Sequence, residues 1–179
     1  MGEIDYAKLD VLVLDVDGVL TDGRIILTAS GEEIKAFHCR DGAGMRYWKR
    51  SGHRLAIITG RGSPAVLARA KELGVDAVRL NVHEKVSAFT EVLAEFGSTD
   101  RHAVVIGDDL MDLPLMRRCA FPVAVADAVE EVRQAASYVT SAAGGEGCVR
   151  EVIELILKKA GKWQAILSRY LPSGREQPR

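Results

Sequence analysis

Short, mostly apolar runs alternate along this chain with longer stretches whose apolar residues recur every third or fourth position. Val11–Leu14, Leu55–Ile58, Ala77–Leu80, Ala103–Ile106 and Pro122–Val125 are the short runs. Runs of this length and continuity predict strands buried on both faces, as in a parallel sheet. The longer stretches predict helices over residues 44–51, 64–73, 84–96, 110–118 and 149–159, the last open to continuation beyond Gly161. In the third, Val86, Phe89, Val92, Leu93 and Phe96 share one face. Gly74 is a stop signal for the second. Asp127-Ala-Val-Glu130 has the spacing of a capping box and predicts a further helix with Asp127 as its N-cap. Strands alternating with helices imply an α/β fold with a doubly wound parallel sheet of Rossmann type.

One segment breaks the alternation. Arg24–Leu27, a turn over Thr28–Gly31, and Ile34–Phe37 predict a β-hairpin inserted after the first strand, spanning about residues 24–37. A hairpin outside the main sheet has unpaired edges that proteins normally cover. Residues 1–160 are read as a single unit, and 161–179 as a C-terminal tail whose polar end, 172–179, is expected to fray.

Composition narrows the function without naming it. The 179 residues are 47% hydrophobic and 27% charged with a formal net charge of −1, which suits a soluble chain with a proper core. A charge this close to neutral gives no general attraction to nucleic acid or to an anionic membrane. The N-terminus lacks the basic start and apolar run of a signal peptide, and Met1-Gly2 lacks the Ser or Thr at position 6 of a myristoylation signal, where Tyr6 stands. No apolar stretch is long enough to cross a membrane. Cys39, Cys119 and Cys148 are far apart and form no zinc or redox pattern, as expected of thiols in the reducing cytoplasm.

The chemistry sits at strand ends. Doubly wound sheets bind ligands beyond the carboxyl ends of their strands. Three apolar runs end in Asp15 with Asp17, in Thr59 with Gly60 and Arg61, and in Asp108 with Asp109. Asp15 and Asp17, two apart, point to the same side. Carboxylates so close need a cation, a shared proton or separate tasks. Mg2+ is a suitable cation, one acid being free to attack phosphorus while the other handles the leaving-group proton. The pair is also compatible with solvated strand-end acids in a turn at Gly18. Asp109 could cap the helix from Leu110 without excluding metal ligation by Asp108, and Asp112 adds a further acid. Lys85 opens a helix, where the macrodipole disfavours a cation, although a single lysine is usually just solvated. Thr59-Gly60-Arg61-Gly62 can offer phosphate a hydroxyl, backbone N–H groups and a guanidinium, or be an ordinary strand-to-helix turn.

Taken in order, these residues resemble the haloacid dehalogenase superfamily of phosphotransferases. Asp15-Val-Asp17-Gly-Val19-Leu-Thr21 matches its D-x-D-x-[TV]-L-[TV] motif, and Thr59, Lys85 and Asp108-Asp109 match the second, third and fourth. A closer resemblance is to the cap-less 3-deoxy-D-manno-octulosonate 8-phosphate phosphatases. It is carried by Asp15–Gly23, Phe37–Gly44, Thr59–Arg61, Gly107–Pro114 and Gly144–Glu151. The resemblance implies that Asp15 is the nucleophile and Asp17 the general acid and base. It implies that Asp15, Asp108 and the Asp17 carbonyl hold Mg2+, that Thr59, Gly60 and Lys85 bind phosphate, and that Asp109 and Asp112 support them. It further implies a sugar phosphate substrate, a role in lipopolysaccharide core sugar synthesis and a homotetramer whose hairpins form a central barrel. Neighbouring subunits would close the active sites.

Arg61 favours an eight-carbon acid sugar, since the related nine-carbon sugar phosphatases tend to carry an acid there; these, and a non-catalytic tetramerising module, are the alternatives. Cys148 stands where the family often has Ala and could expose an oxidisable thiol. The stretch His38, Arg40 and Asp41 either caps and packs or lines the sugar pocket or a subunit contact. Trp48 and Trp163 are read as packing residues.

Overall fold

The computed structural model describes residues 4–171, so the expected fraying of 172–179 and the Met1-Gly2 start lie outside the described residues. Six parallel strands form the main sheet: β1 (Val11–Leu14), β4 (Arg54–Ile58), β5 (Ala77–Arg79), β6 (Ala103–Gly107), β7 (Phe121–Ala124) and β8 (Tyr138–Val139). Their order is β5-β4-β1-β6-β7-β8. The chain winds outward from β1 through β4 to β5, then returns to the other side of β1. The reversal beside β1 is the topological switch point at which such sheets open a crevice. Every residue of β1, β6 and β7 is buried, which is why these segments read as continuous apolar runs.

The flanking helices are α1 (Cys39–Arg50), α2 (Pro64–Leu73), α3 (Lys85–Glu95), α4 (Leu113–Met116), α5 (Glu130–Ala135), α6 (Cys148–Lys159) and α7 (Trp163–Leu167). α1 packs along α6 and touches α2, while α3, α4 and α5 pack in succession. The core includes Leu12, Leu14, Trp48, Phe89, Ile106, Phe121 and Ile156, all essentially inaccessible. Trp48 is a packing residue, as expected, and its indole Nε1 donates to the Arg54 carbonyl at 2.8 Å. Trp163 packs edge-on against Tyr47 with ring centroids 5.9 Å apart.

Several boundaries differ from the sequence reading. α1 starts at Cys39 rather than Gly44, because His38 caps it, Nδ1 accepting from the Arg40 N–H at 3.3 Å. Gly44 lies inside the helix; an added Cβ would stand 3.1 Å from the Arg150 Cα, so the glycine sets the close approach of α1 to α6. The stretch 110–118 divides into a 3₁₀ turn, Leu110–Asp112, and the short α4 with Pro114 in its first turn. Asp127 does not cap α5. That helix follows Val129, in extended conformation, and Asp127 Oδ1 instead accepts from the Gly144 N–H at 2.9 Å. β8 was not anticipated; its two residues are too few to register as a run. α6 ends at Lys159, short of Gly161, and a separate α7 follows.

The hairpin is present but short: β2 (Ile26–Leu27) pairs antiparallel with β3 (Glu33–Ile34), register Ile26 to Ile34. The chain leaves the ribbon at Lys35, before the expected end at Phe37. Ile25, Ile26, Leu27 and Ile34 are exposed by about half or more.

Candidate active site

Register brings the strand-end polar groups to one rim. Leu14 on β1 lies beside Ile57 on β4 and Ile106 on β6. Asp15, Thr59 and Asp108 each follow within two residues of those partners and so leave the sheet at the same level. Asp15 is tied down by its own N–H, which donates to the Ile106 carbonyl at 3.3 Å.

The centre of this rim is a carboxylate cluster around one buried ammonium. One oxygen from each of Asp15, Asp108 and Asp112 lies within 4.8 Å of the others. Lys85 Nζ donates to Asp15 Oδ1 and to Asp112 Oδ1, both at 2.8 Å. Its side chain is only 2% exposed, so it is no solvated surface lysine. Burial disfavours the ammonium, but Asp15 and Asp112 outweigh burial and hold its pKa above the ordinary lysine value. The acids are under the opposite stress. Burial pushes the Asp15 carboxyl up to about 6, with Lys85 pulling down and Asp112 pushing further up. Burial, then the charges of Asp15, Asp112 and Asp109, push Asp108 up to about 8.

This cluster fits a hard divalent cation. Asp108 Oδ1 is buried and has no hydrogen-bond partner, an expensive state for a carboxylate unless a ligand completes it. Carboxylate oxygens with one backbone carbonyl are the donor set Mg2+ prefers. Asp112 is already used on both sides: Oδ1 takes Lys85, and Oδ2 accepts the Asp108 N–H at 3.1 Å. Gly18 lies against the cluster at φ +92°, and a Cβ there would stand 2.0 Å from Asp108 Oδ2. The turn after β1 therefore demands glycine on both conformational and steric grounds.

The other expected residues lie around this centre. Thr59 is buried, and its Oγ1 accepts from the Arg61 N–H at 3.4 Å. Gly60 sits beside Met111, whose Cε would be 3.1 Å from an added Cβ. Asp109 is exposed and caps the 3₁₀ turn, accepting from the Leu110 N–H at 2.7 Å. Asp17 pairs with the hairpin and not with Lys85. Lys35 Nζ donates to Asp17 Oδ1 and lies 3.3 Å from Glu33 Oε1, with 1% of its side chain exposed. The half-exposed Arg61 guanidinium donates to the same Glu33 oxygen at 2.9 Å, and its Nε stands 3.7 Å from Asp17 Oδ2. Lys35 and Glu33 were not singled out from sequence. Their signal was weak: charged residues in a short exposed hairpin ordinarily face water.

Two smaller readings resolve. His38 caps α1, and Asp41 serves the far end of the glycine-rich loop: its Oδ1 accepts from the Arg150 N–H at 2.7 Å, at the start of α6. Cys148 is not an exposed thiol. It is fully buried, its Sγ donates to the Val19 carbonyl at 3.3 Å, and burial pushes its pKa well up.

Comparison with known proteins points to one family. Residues 78–153 match the haloacid dehalogenase-like hydrolase family. The chain is 43% identical over 155 residues to a 3-deoxy-D-manno-octulosonate 8-phosphate phosphatase of Escherichia coli K12, covering 87% of this chain and 82% of that one. The crystal structure of the Moraxella catarrhalis 3-deoxy-D-manno-octulosonate 8-phosphate phosphatase, in complex with magnesium, phosphate and KDO, superposes with TM-score 0.90 at 40% identity, covering 93% of this chain and 95% of that one. The Yersinia pestis counterpart gives TM-score 0.87 at 42% identity, covering 89% and 86%. The chain therefore belongs to the haloacid dehalogenase-like hydrolases and, within them, to the family of 3-deoxy-D-manno-octulosonate 8-phosphate phosphatases.

Proposed function

We propose that this protein is a Mg2+-dependent phosphatase that hydrolyses 3-deoxy-D-manno-octulosonate 8-phosphate to the free sugar acid and phosphate, in lipopolysaccharide core sugar synthesis. The observation that carries the reading is the meeting of Asp15 and Asp108, ninety-three positions apart, beside the Lys85 ammonium. The Moraxella relative, whose crystal structure contains magnesium, phosphate and KDO, supports the substrate and the metal.

In this reading Asp15, Asp108 and the backbone carbonyl of Asp17 would hold Mg2+, which would supply positive charge against the phosphoryl group. An Asp15 carboxylate oxygen attacks phosphorus, and the bond from phosphorus to the sugar oxygen breaks. The departing oxygen takes its proton from Asp17. Asp17, now a carboxylate, accepts a proton from water as that water attacks the aspartyl phosphate. Inorganic phosphate leaves, and Asp15 and protonated Asp17 are restored. Thr59, the Gly60 backbone and Lys85 bind the phosphoryl oxygens and stabilise charge as it is transferred. Asp112 orients Lys85, and Asp109 fixes the turn that follows Asp108. Arg61, half exposed at the rim, is suited to the sugar carboxylate.

Substitution of Asp15 by Asn tests the mechanism: turnover in saturating Mg2+ should vanish, and activity near the parent rate would refute it. Comparison of kcat/KM on the eight-carbon and nine-carbon sugar phosphates decides the substrate.

The exposed apolar hairpin, Ile25 to Leu27 with Ile34, supports a homotetramer whose hairpins cover one another, in a protein read as cytoplasmic. Light scattering should give four times the chain mass at micromolar concentration; a monomer would overturn the assembly. Residues 1–160 are read as the phosphatase unit, with 161–179 as its extension.

A further inference from the structure

We propose that Lys35, carried into the site by the hairpin, is a positioning residue that fixes Asp17 for proton transfer. The proposal rests on the phosphatase reading above and adds to it a residue that none of the four motifs contains.

The geometry is specific. Lys35 is the first residue after β3, at the point where the ribbon gives way to the segment leading into α1. Its ammonium is withdrawn from solvent, with 1% of the side chain exposed, so it is not available to a substrate carboxylate. It donates to one oxygen of Asp17, while the other, Oδ2, is buried, accepts no hydrogen bond and has the Arg61 Nε 3.7 Å away. Lys35 on one oxygen and the Arg61 guanidinium near the other together restrain the carboxyl plane. Asp17 Oδ2 is thus the atom left to exchange a proton with the sugar oxygen and then with water. Glu33 completes the device. It is 3.3 Å from Lys35 Nζ and accepts from Arg61 at 2.9 Å, so the lysine cannot swing away from Asp17 without losing a second partner.

Proton transfer needs heavy atoms within hydrogen-bond reach, and small misplacements of a reacting group are costly. The effect of losing Lys35 should therefore depend on how much the leaving group needs a proton. A sugar alkoxide is strongly basic and leaves only as it is protonated. A p-nitrophenolate leaves without help. The ratio kcat/KM reports the path only through the first irreversible step, cleavage of the ester bond, for both substrates.

The experiment compares the parent with Lys35→Met on p-nitrophenyl phosphate and on 3-deoxy-D-manno-octulosonate 8-phosphate, or on the alkyl phosphate the parent uses best. Parent enzyme that accepts other alkyl phosphates but refuses the eight-carbon sugar fails the substrate reading, and the Lys35 comparison still stands on the alkyl ester. The expected result is a fall of about 100-fold in kcat/KM on the alkyl ester, and a far smaller fall on p-nitrophenyl phosphate. Mg2+-dependent thermal stabilisation should be unchanged in the variant. Because Lys35→Met strands Glu33, the double variant with Glu33→Gln serves as a folding control. It should fold and bind Mg2+ as the parent does, and remain defective on the alkyl ester alone. Equal losses on both substrates in a variant that folds and binds Mg2+, or no loss on the alkyl ester, would overturn the proposal.

Discussion

Replacing Asp108 by Asn separates the electrostatic cost of the proposed metal site from its chemistry. Burial and three neighbouring acids raise the Asp108 pKa from the ordinary 3.8 to about 8 in the metal-free protein. Between those values the folded state holds a proton that the unfolded state has released. Folding stability therefore falls as pH rises from 3.8 towards 8. The full gap corresponds to roughly 6 kcal/mol as a ceiling. Relaxation and entry of water into a site that is only partly enclosed reduce this to about 2 kcal/mol.

Asparagine keeps the shape and removes the titration. Its amide also lacks a partner, but that cost does not change with pH, so the slope is the diagnostic. Urea unfolding in EDTA from pH 5 to pH 8 should show the variant gaining about 2 kcal/mol on the parent across the range. With Mg2+ at a hundred times its dissociation constant the order should reverse, since the parent gains about 2.7 kcal/mol and the variant little. Parallel pH slopes in EDTA, or equal Mg2+ stabilisation of both proteins, would refute the reasoning.

Two further predictions follow from particular contacts. Gly18→Ala places a methyl group 2.0 Å from Asp108 Oδ2 at a φ of +92°, so the carboxylate must move. Mg2+ affinity measured by calorimetry should fall at least about tenfold, with backbone strain of about 1–2 kcal/mol in stability; unchanged affinity would show that Asp108 tolerates the shift. His53 packs on Trp48 with ring centroids 4.3 Å apart, and burial, then the Lys162 charge, push its pKa down to about 4. It is neutral when folded and gains a proton below about 6.5 when unfolded, so its share of stability is present above 6.5 and drains away as pH falls towards 4. Relative to a His53→Asn variant, the parent should lose about 2 kcal/mol over that window in denaturant titrations; an imidazole seen by NMR to protonate near pH 6.5 would contradict this.

The sequence determined most of the sheet, and the reason is burial. A strand covered on both faces must be apolar along its length, so β1, β4 and β6 announce themselves within a residue or so. The same logic located Asp15, Thr59 and Asp108, because polar residues that end an apolar run mark the strand's exit from the core. Tertiary structure decided what local pattern cannot encode. Asp127 has the spacing of a cap but bonds to Gly144, since its partner is chosen by packing across the chain. Gly44 reads as the start of a helix but lies inside α1 as a contact surface for α6, because only the neighbouring helix reveals why a side chain is missing. Asp112 reads as one acid among several until Lys85 and the Asp108 N–H occupy both its oxygens. Lys35 and Glu33 belong to a ribbon that reads as exposed, and only the approach of that ribbon to the turn after β1 removes the lysine from water and sets it on Asp17. Periodicity reports which residues leave solvent together, whereas the identity of a charge's partner depends on contacts between segments far apart in the chain.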